Sequence, residues 1–392
     1  MESVRAMFGS PIPAMVALNV MGVNLIAPVL PAYADFFGVG FAAVSTLVTA
    51  FALARMSFRV RAGSLADRHG SRAVCTGGGF VQATGAIIAS FAPGIGLLLV
   101  ARGVQGVGSS LFGTSVNRYL LVTTERGDLG RATAGFQSGI LVGGTIGPLI
   151  GGFVADRFGI FAPFYVQAAI ALMLALVSRA FIRDQGDAHF EERRDRASIR
   201  SLVGIRGFKV VMFLGFGYFF VRAGAINVLV PAFADDVLAL SPSLIGAIIS
   251  FGSFVSLLVM PVAGHFADAL GRWPVALTGA LGTAAAVAAF GLADQTGGLF
   301  TVAAMLGVGI ALVAVALPTM IGDLAPPGTE GRASGVYRIA NDLGWIFGPA
   351  TLGFLADGNR YGLAFAVAGV PLIIGAGVLL RGRDLRRGAT VP

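Results

Sequence analysis

Charge is what this sequence has least of. Only 12% of its 392 residues are Asp, Glu, Lys or Arg, about half the share of a water-soluble domain. With a mean hydropathy of +0.82, a soluble chain is excluded. Cysteine is nearly absent too: Cys75 stands alone, so there is no internal disulfide. His69, His189 and His265 lack the clustering that a structural metal site needs. Long polar stretches are missing except for residues 183–207, which hold Arg183, Asp184, Asp187, Glu191, Glu192, Arg193, Arg194, Asp195 and Arg196. No soluble catalytic domain fits, and no nucleophile–base pair or metal cluster is legible. An enzyme is not expected, and no cofactor.

What is present is apolar sequence in runs of about 20 residues, the length that crosses a hydrocarbon core as a helix. The alternating ten-residue pattern of a membrane barrel is not seen. Breaks at charged, Gly and Pro residues predict spans at about 11–33, 42–62, 74–92, 96–118, 132–154, 162–182, 208–231, 243–263, 275–293, 299–321, 333–355 and 362–380. The expected division is a bundle over 1–182, a linker over 183–207 and a second bundle over 208–392.

Basic residues stay on the cytoplasmic side of a membrane. With the N-terminus inside, the tails and the loops on that side collect most of the 28 Lys and Arg residues. Only Arg157 and Arg360 fall outside, and Arg55, Arg102, Arg222 and Arg338 fall within spans. Both termini and the linker are expected in the cytoplasm. The net charge of +8 is then a topology signal, and no nucleic-acid partner is expected. Ala32-Tyr33-Ala34 looks like a signal-peptidase site, yet the first apolar run is too long for a signal peptide. Pro31-Ala32-Tyr33-Ala34-Asp35 also returns as Pro231-Ala232-Phe233-Ala234-Asp235, where cleavage would serve nothing.

That return is one of many. Gly63-Ser64-Leu65-Ala66-Asp67-Arg68-His69-Gly70-Ser71-Arg72 reappears as Gly264-His265-Phe266-Ala267-Asp268-Ala269-Leu270-Gly271-Arg272-Trp273. Gly106 and Gly108 map to Gly307 and Gly309, Gly130-Arg131-Ala132 to Gly331-Arg332-Ala333, Gly147-Pro148 to Gly348-Pro349, and Asp156 to Asp357. The chain is a duplication of six spans, and in such proteins chemistry concentrates where the repeats meet.

The stretch Gly63-x-Leu65-x-Asp67-Arg68-x-Gly70-x-Arg72 resembles the signature between the second and third helices of the major facilitator superfamily. Glycines let helix ends approach and turn, while Asp67 can cap a helix N-terminus and pair with an arginine. The resemblance implies a gate formed by Gly63, Asp67, Arg68, Gly70 and Arg72, with a weaker second copy at Asp268 and Arg272, where Ala269 replaces arginine. A loop staple without a role in any cycle is the alternative. In the fourth span, Leu98-x3-Arg102-x2-Gln105-Gly106-x-Gly108 is similar to a family motif whose arginine is associated with proton coupling. The other reading of Arg102 is a tie to carbonyls of the first span. In the fifth span, Gly143-x3-Gly147-Pro148-x2-Gly151-Gly152 resembles the family's antiporter motif. Its small residues allow close helix contact and Pro148 bends the helix. Gly344-x3-Gly348-Pro349-x3-Gly353 shows that part of this pattern belongs to the repeat.

The least generic residues lie in the eleventh span: Tyr337, Arg338, Asn341 and Asp342. Arg338 and Asp342 are four apart and share a helix face. Asp342 is the one carboxylate deep within a predicted span, where an ionisable group marks function by default. It is the expected proton carrier, with Arg338 and Arg102 beside it in that role, or else the neutralising partner of Arg338. Arg55, Arg222, Asn19, Asn24, Asn341 and Tyr337 are the expected cavity residues. Four arginines against one aspartate favour anionic, zwitterionic or neutral amphipathic substrates. Most of the 30 phenylalanines are expected to pack or face lipid.

The resemblance covers about residues 10–380 and implies an all-α membrane protein of twelve transmembrane helices in two pseudo-symmetric six-helix bundles, working by alternating access. The drug:proton antiporter group with twelve spans is the most similar. It implies proton-coupled efflux of a small amphipathic compound. A symporter or facilitator importing an organic anion is the alternative. The expected partners are a small-molecule substrate, protons and membrane lipids. The expected state is a monomer, and the expected location a bacterial inner membrane.

Overall fold

A computed structural model describes residues 11–124, 128–182, 202, 204–326 and 329–381. Most of the expected 183–207 linker and both chain ends lie outside the described residues. What is described is helical, in twelve successive helices. α1 runs in three pieces, Ile12–Asn24, a 3-10 turn Ala27–Val29, and Leu30–Phe37. α2 and α3 form one run, Phe41–Ser90, interrupted only at Gly70. α4 is Ile95–Thr123, α5 Leu129–Phe158 and α6 Ala162–Phe181. α7 comprises Arg206–Phe220, a π-helical stretch Val221–Leu229, and Val230–Asp236. α8 to α12 are Pro242–Ala269, Arg272–Phe290, Thr296–Leu324, Glu330–Ala356 and Tyr361–Arg381.

Among the described residues, ten helical segments are long and apolar enough to cross a membrane. One of them, at 50 residues, is about 75 Å of helix at 1.5 Å per residue, enough for two crossings. Its direction reverses at Gly70, where φ is 79°, a conformation that costs glycine nothing and other residues much. The expected 63–72 loop is therefore mostly the last turns of α2. α11 falls outside the ten although it is 27 residues long. The same residues that set it apart as sequence, Arg338 and Asp342, make it too polar to qualify by composition.

The residues divide into two compact units. One holds Met1–Val39, Thr46–Glu192 and Leu240–Ser250; the other holds Gly40–Ser45, Arg193–Ala239 and Phe251–Pro392. Unlike the bundles read from the sequence, each unit includes the first turns of a helix whose remainder belongs to the other: α8 lends its start to the first unit and α2 its start to the second.

Within the first unit, α1 lies against α5 along Gly139, Gly143, Gly147 and Gly151. A Cβ at any of them would run into the carbonyls of Pro13, Ala17, Met21 and Leu25 in turn. Four glycines at four-residue spacing bring the two backbones to van der Waals contact. Within the second unit, Gly344 and Gly348 of α11 and Gly224 of α7 do the same. A Cβ on Gly344 would come 2.6 Å from the Phe216 carbonyl, and one on Gly224 would come 2.6 Å from Gly348.

The α1 break has a local cause. Pro28 has no N–H for the Asn24 carbonyl, and the chain tightens through Val29 N–H to Ile26 at 3.0 Å. In α7 the matching residue, three before Pro231, is Val228, which keeps its donor. There the helix widens instead, closing with the Val230 N–H on the carbonyl of Ala225, five residues back.

Candidate transport site

In the first unit the interior polar groups include several amides and two arginines. Arg102 of α4 is 2% exposed. Its Nη1 donates to Gln105 Oε1, its Nε reaches the Leu47 carbonyl at 3.5 Å, and its guanidinium lies 4.6 Å from the Phe51 ring centroid. The sequence left open a tie to the first span; the carbonyl engaged belongs to α2. Arg55 lies on the same Phe51 ring, at 5.6 Å. One aromatic face thus takes two cations, each gaining from the ring quadrupole. Asn19 of α1 accepts from the Gln82 amide of α3 at 3.0 Å, and Asn24 donates to the Val20 carbonyl at 2.8 Å. Gln82 was missed in the sequence because an isolated glutamine in an apolar run has no periodic signal. Gln167 of α6 was missed for the same reason. It is buried, and neither of its amide atoms has a hydrogen-bond partner among the described residues.

The second unit carries the buried carboxylate. Arg222 sits in the π stretch of α7 and donates to the Tyr218 hydroxyl at 3.1 Å. On α11, Tyr337 and Asn341 face Gly215 of α7, where a Cβ would lie 2.9 Å from Asn341 Oδ1 and closer still to the Tyr337 ring. That glycine makes room for the α11 polar group. Asp342 is 4% exposed, and Arg338, one turn earlier, is exposed. Both are engaged by neighbours, so the aspartate is no orphaned charge. A carboxylate buried in a membrane-spanning helix with an exposed arginine on its own face is equipped to exchange a proton or to hold a charged ligand group.

The residues expected from the sequence to form a gate separate. Asp67 Oδ1 accepts from Arg118 Nε of α4 at 2.7 Å, and Arg118 also reaches Ser71 at 3.3 Å. Arg72 donates to the Arg179 carbonyl of α6 at 2.9 Å. Gly63 and Gly70 shape the helix end, while Arg68 is exposed. In the second copy Gly271 takes the same turn, φ 91°, but the polarity is swapped: Arg272 pairs with Asp323 of α10, and Asp268 is exposed. Arg118 and Asp323 were legible only as charges near span ends, so sequence could not choose them as partners.

The helix-bend residues do two things. Gly143, Gly147 and Gly151 meet α1, whereas Gly152 faces the Pro242 carbonyl and the Pro148 carbonyl faces Gly246, both on the start of α8.

A family profile described as the Major Facilitator Superfamily matches residues 14–237 and 211–391. This chain belongs to that superfamily. Multidrug resistance protein 2 of Bacillus subtilis (strain 168) is 27% identical over 386 residues, covering 94% of this chain and 93% of the relative. The probable nitrate/nitrite transporter NarK2 of Mycobacterium tuberculosis (strain ATCC 25618 / H37Rv) is 26% identical over 360 residues, covering 87% and 86%. Among solved structures, a bacterial homologue of the human lysosomal transporter Spinster, inward-facing and unoccupied, aligns with a TM-score of 0.80 at 14% identity, covering 100% of this chain and 98% of that one. The likeness fixes the fold as that of a multi-pass major facilitator. The superfamily member is a transporter of small molecules and not an enzyme.

Proposed function

We propose that this protein is a proton-coupled exporter of small amphipathic organic compounds, working by alternating access with Asp342 as the proton carrier. The observation that carries the reading is the burial of Asp342 inside a membrane-spanning helix with Arg338 one turn away. A carboxylate so placed can take up and give back a proton, and substrate that engages Arg338 changes the charge beside it. Proton release and substrate capture are then linked, as any two ligands with unequal affinity for two states must be. Arg102, held by Gln105, the Leu47 carbonyl and Phe51, acts as an anchor between α2 and α4 and contributes field only. Relatives named for multidrug resistance support the export direction.

A second reading, import of an organic anion with protons, draws on Arg222 and the exposed Arg338, and on a relative named for nitrate and nitrite. Purified protein in proteoliposomes separates the two by the sign of proton movement when substrate is added. Efflux coupling moves protons against the substrate and symport moves them with it. We place both termini and the 183–207 linker in the cytoplasm of a bacterial inner membrane. Cysteine at Gly186 in a Cys75→Ser background then resists an impermeant thiol reagent in intact cells; ready labelling overturns the orientation.

A further inference from the structure

Gln167 of α6 is 1% exposed, and neither of its amide atoms has a hydrogen-bond partner among the described residues. Buried polar side chains are almost always hydrogen-bonded, because a bare amide gives up its hydration for nothing. The seam beside it has room. Gly22 of α1 is buried there, and a Cβ on it would lie 3.7 Å from Gln167 Cγ and 3.6 Å from Ile170 Cγ2, ordinary contact distances. Gly79, Gly85 and Gly139, also buried, leave no such room. A Cβ would come 2.8 Å from Ala175 of α6 at Gly79, 2.8 Å from Gln105 of α4 at Gly85 and 2.4 Å from the Pro13 carbonyl of α1 at Gly139. Between α1 and α6 there is thus space for a methyl group, about what one water molecule needs.

The same seam is polar. One turn before Gly22, on the same face of α1, Asn19 accepts through Oδ1 from Gln82 Nε2 of α3 at 3.0 Å, and Gln82 is itself 2% exposed. α3 and α6 meet close by, since Gly79, one turn before Gln82, touches Ala171 and Ala175, one and two turns past Gln167. Three neutral amides from three helices therefore converge. The duplication supplies a control. At the matching positions the second unit has Phe219, Thr283 and Ala368, and Ala368 is 0% exposed. Helix packing in this fold thus does not require amides at these positions, which leaves binding as their role. The three side chains carry no charge, so what they bind is neutral, and the space between α1 and α6 restricts it to a very small molecule that both donates and accepts hydrogen bonds.

We propose that Gln167 and the Asn19–Gln82 pair form a buried water-binding site in the seam of α1, α3 and α6, where bound water satisfies the Gln167 amide and ties α6 to the amide pair of α1 and α3. The site lies wholly within the first unit. It rests on neither proton coupling nor the direction of transport.

Gly22→Ala sets water against a methyl group. In a dry seam the substitution fills space and replaces a flexible glycine within a helix, so the thermal unfolding midpoint of the purified protein rises. With water held there, the methyl takes its place and leaves Gln167 bare, and the midpoint is expected to fall by about 2 °C. In a Gln167→Met background, which keeps the side-chain length and has no amide to satisfy, Gly22→Ala is expected to raise the midpoint by about 2 °C. A rise or no change in Gly22→Ala alone overturns the proposal, and so does a fall in both backgrounds, which makes the effect steric. A direct measurement decides the matter if a variant fails to fold. An experimental structure of the unaltered protein that shows ordered water is expected to place a water within about 3.2 Å of Gln167 Oε1 or Nε2; a protein group in that position, or nothing, overturns the site. None of these measurements involves transport, so this proposal and the proton-coupled reading fail separately.

Discussion

At the depth where α5 of the first unit carries Phe136, Gln137, Ile140 and Leu141, α11 of the second carries Tyr337, Arg338, Asn341 and Asp342. The reverse holds elsewhere. Arg102 and Gln105 of α4 correspond to Ala303 and Leu306 of α10, and Asn19 of α1 to Phe219 of α7. At most of these positions one unit has a polar group where the other has an apolar one, while Gly143 and Gly147 are matched by Gly344 and Gly348. Duplication has kept the residues that set how close helices pack, since any Cβ there collides with backbone. It has freed the residues that face inward, since one polar set serves both copies. The backbone follows suit: α1 tightens at Pro28 and α7 widens just before Pro231, carrying Arg222 on its π stretch.

The largest expected effect is on that shared packing. Gly143→Val and Gly344→Val each drive a side chain into a facing backbone, and each should lower the stability of the purified protein by about 3 kcal/mol, read as a fall in the thermal unfolding midpoint. A loss confined to one unit would show that the close crossing is a property of one copy only. Next comes the charge asymmetry. Asp342→Asn should abolish accumulation driven by a pH gradient while substrate counterflow persists. Leu141→Asn, at the matching position of α5, should leave gradient-driven accumulation in place; coupling lost in both, or in neither, breaks the comparison. The smallest effects belong to the swapped ion pairs. Asp67 is 62% and Arg118 21% exposed, and Arg272 and Asp323 are 37% and 47% exposed, so neither pair is worth more than about 1 kcal/mol of stability. Asp67→Asn should nevertheless slow transport more than Asp323→Asn, because only the first copy keeps the aspartate of the signature in the pair. Equal transport rates in the two variants would assign both pairs to loop stapling.

Much of this was legible in one dimension. Span length, the offset of 201 between the repeats and the glycine spacing in the fifth and eleventh spans all rest on chemistry local to the residues concerned. Asp342 stood out because a carboxylate in an apolar run is costly wherever it ends up. Gln82 and Gln167 did not stand out, as a neutral amide is tolerated on many faces of a helix. The partners of Asp67 and Arg272 were equally hidden. Arg118 and Asp323 each lie 51 residues away, and several charges near the span ends compete for the same role.

Hydrophobic length and the placement of Gly, Pro and charge along the chain were enough to determine a duplicated all-helical membrane transporter, because lipid leaves a helix as the only form in which an apolar run of that length satisfies its own backbone. Which helix starts Asp156 and Asp357 cap, which carbonyl holds Arg102, and whether a proline-bearing helix tightens as α1 does or widens as α7 does were decided only by the tertiary structure. Those outcomes depend on contacts between segments far apart in sequence, and a helix start offers the same unsatisfied N–H groups to any carboxylate that packing brings within reach.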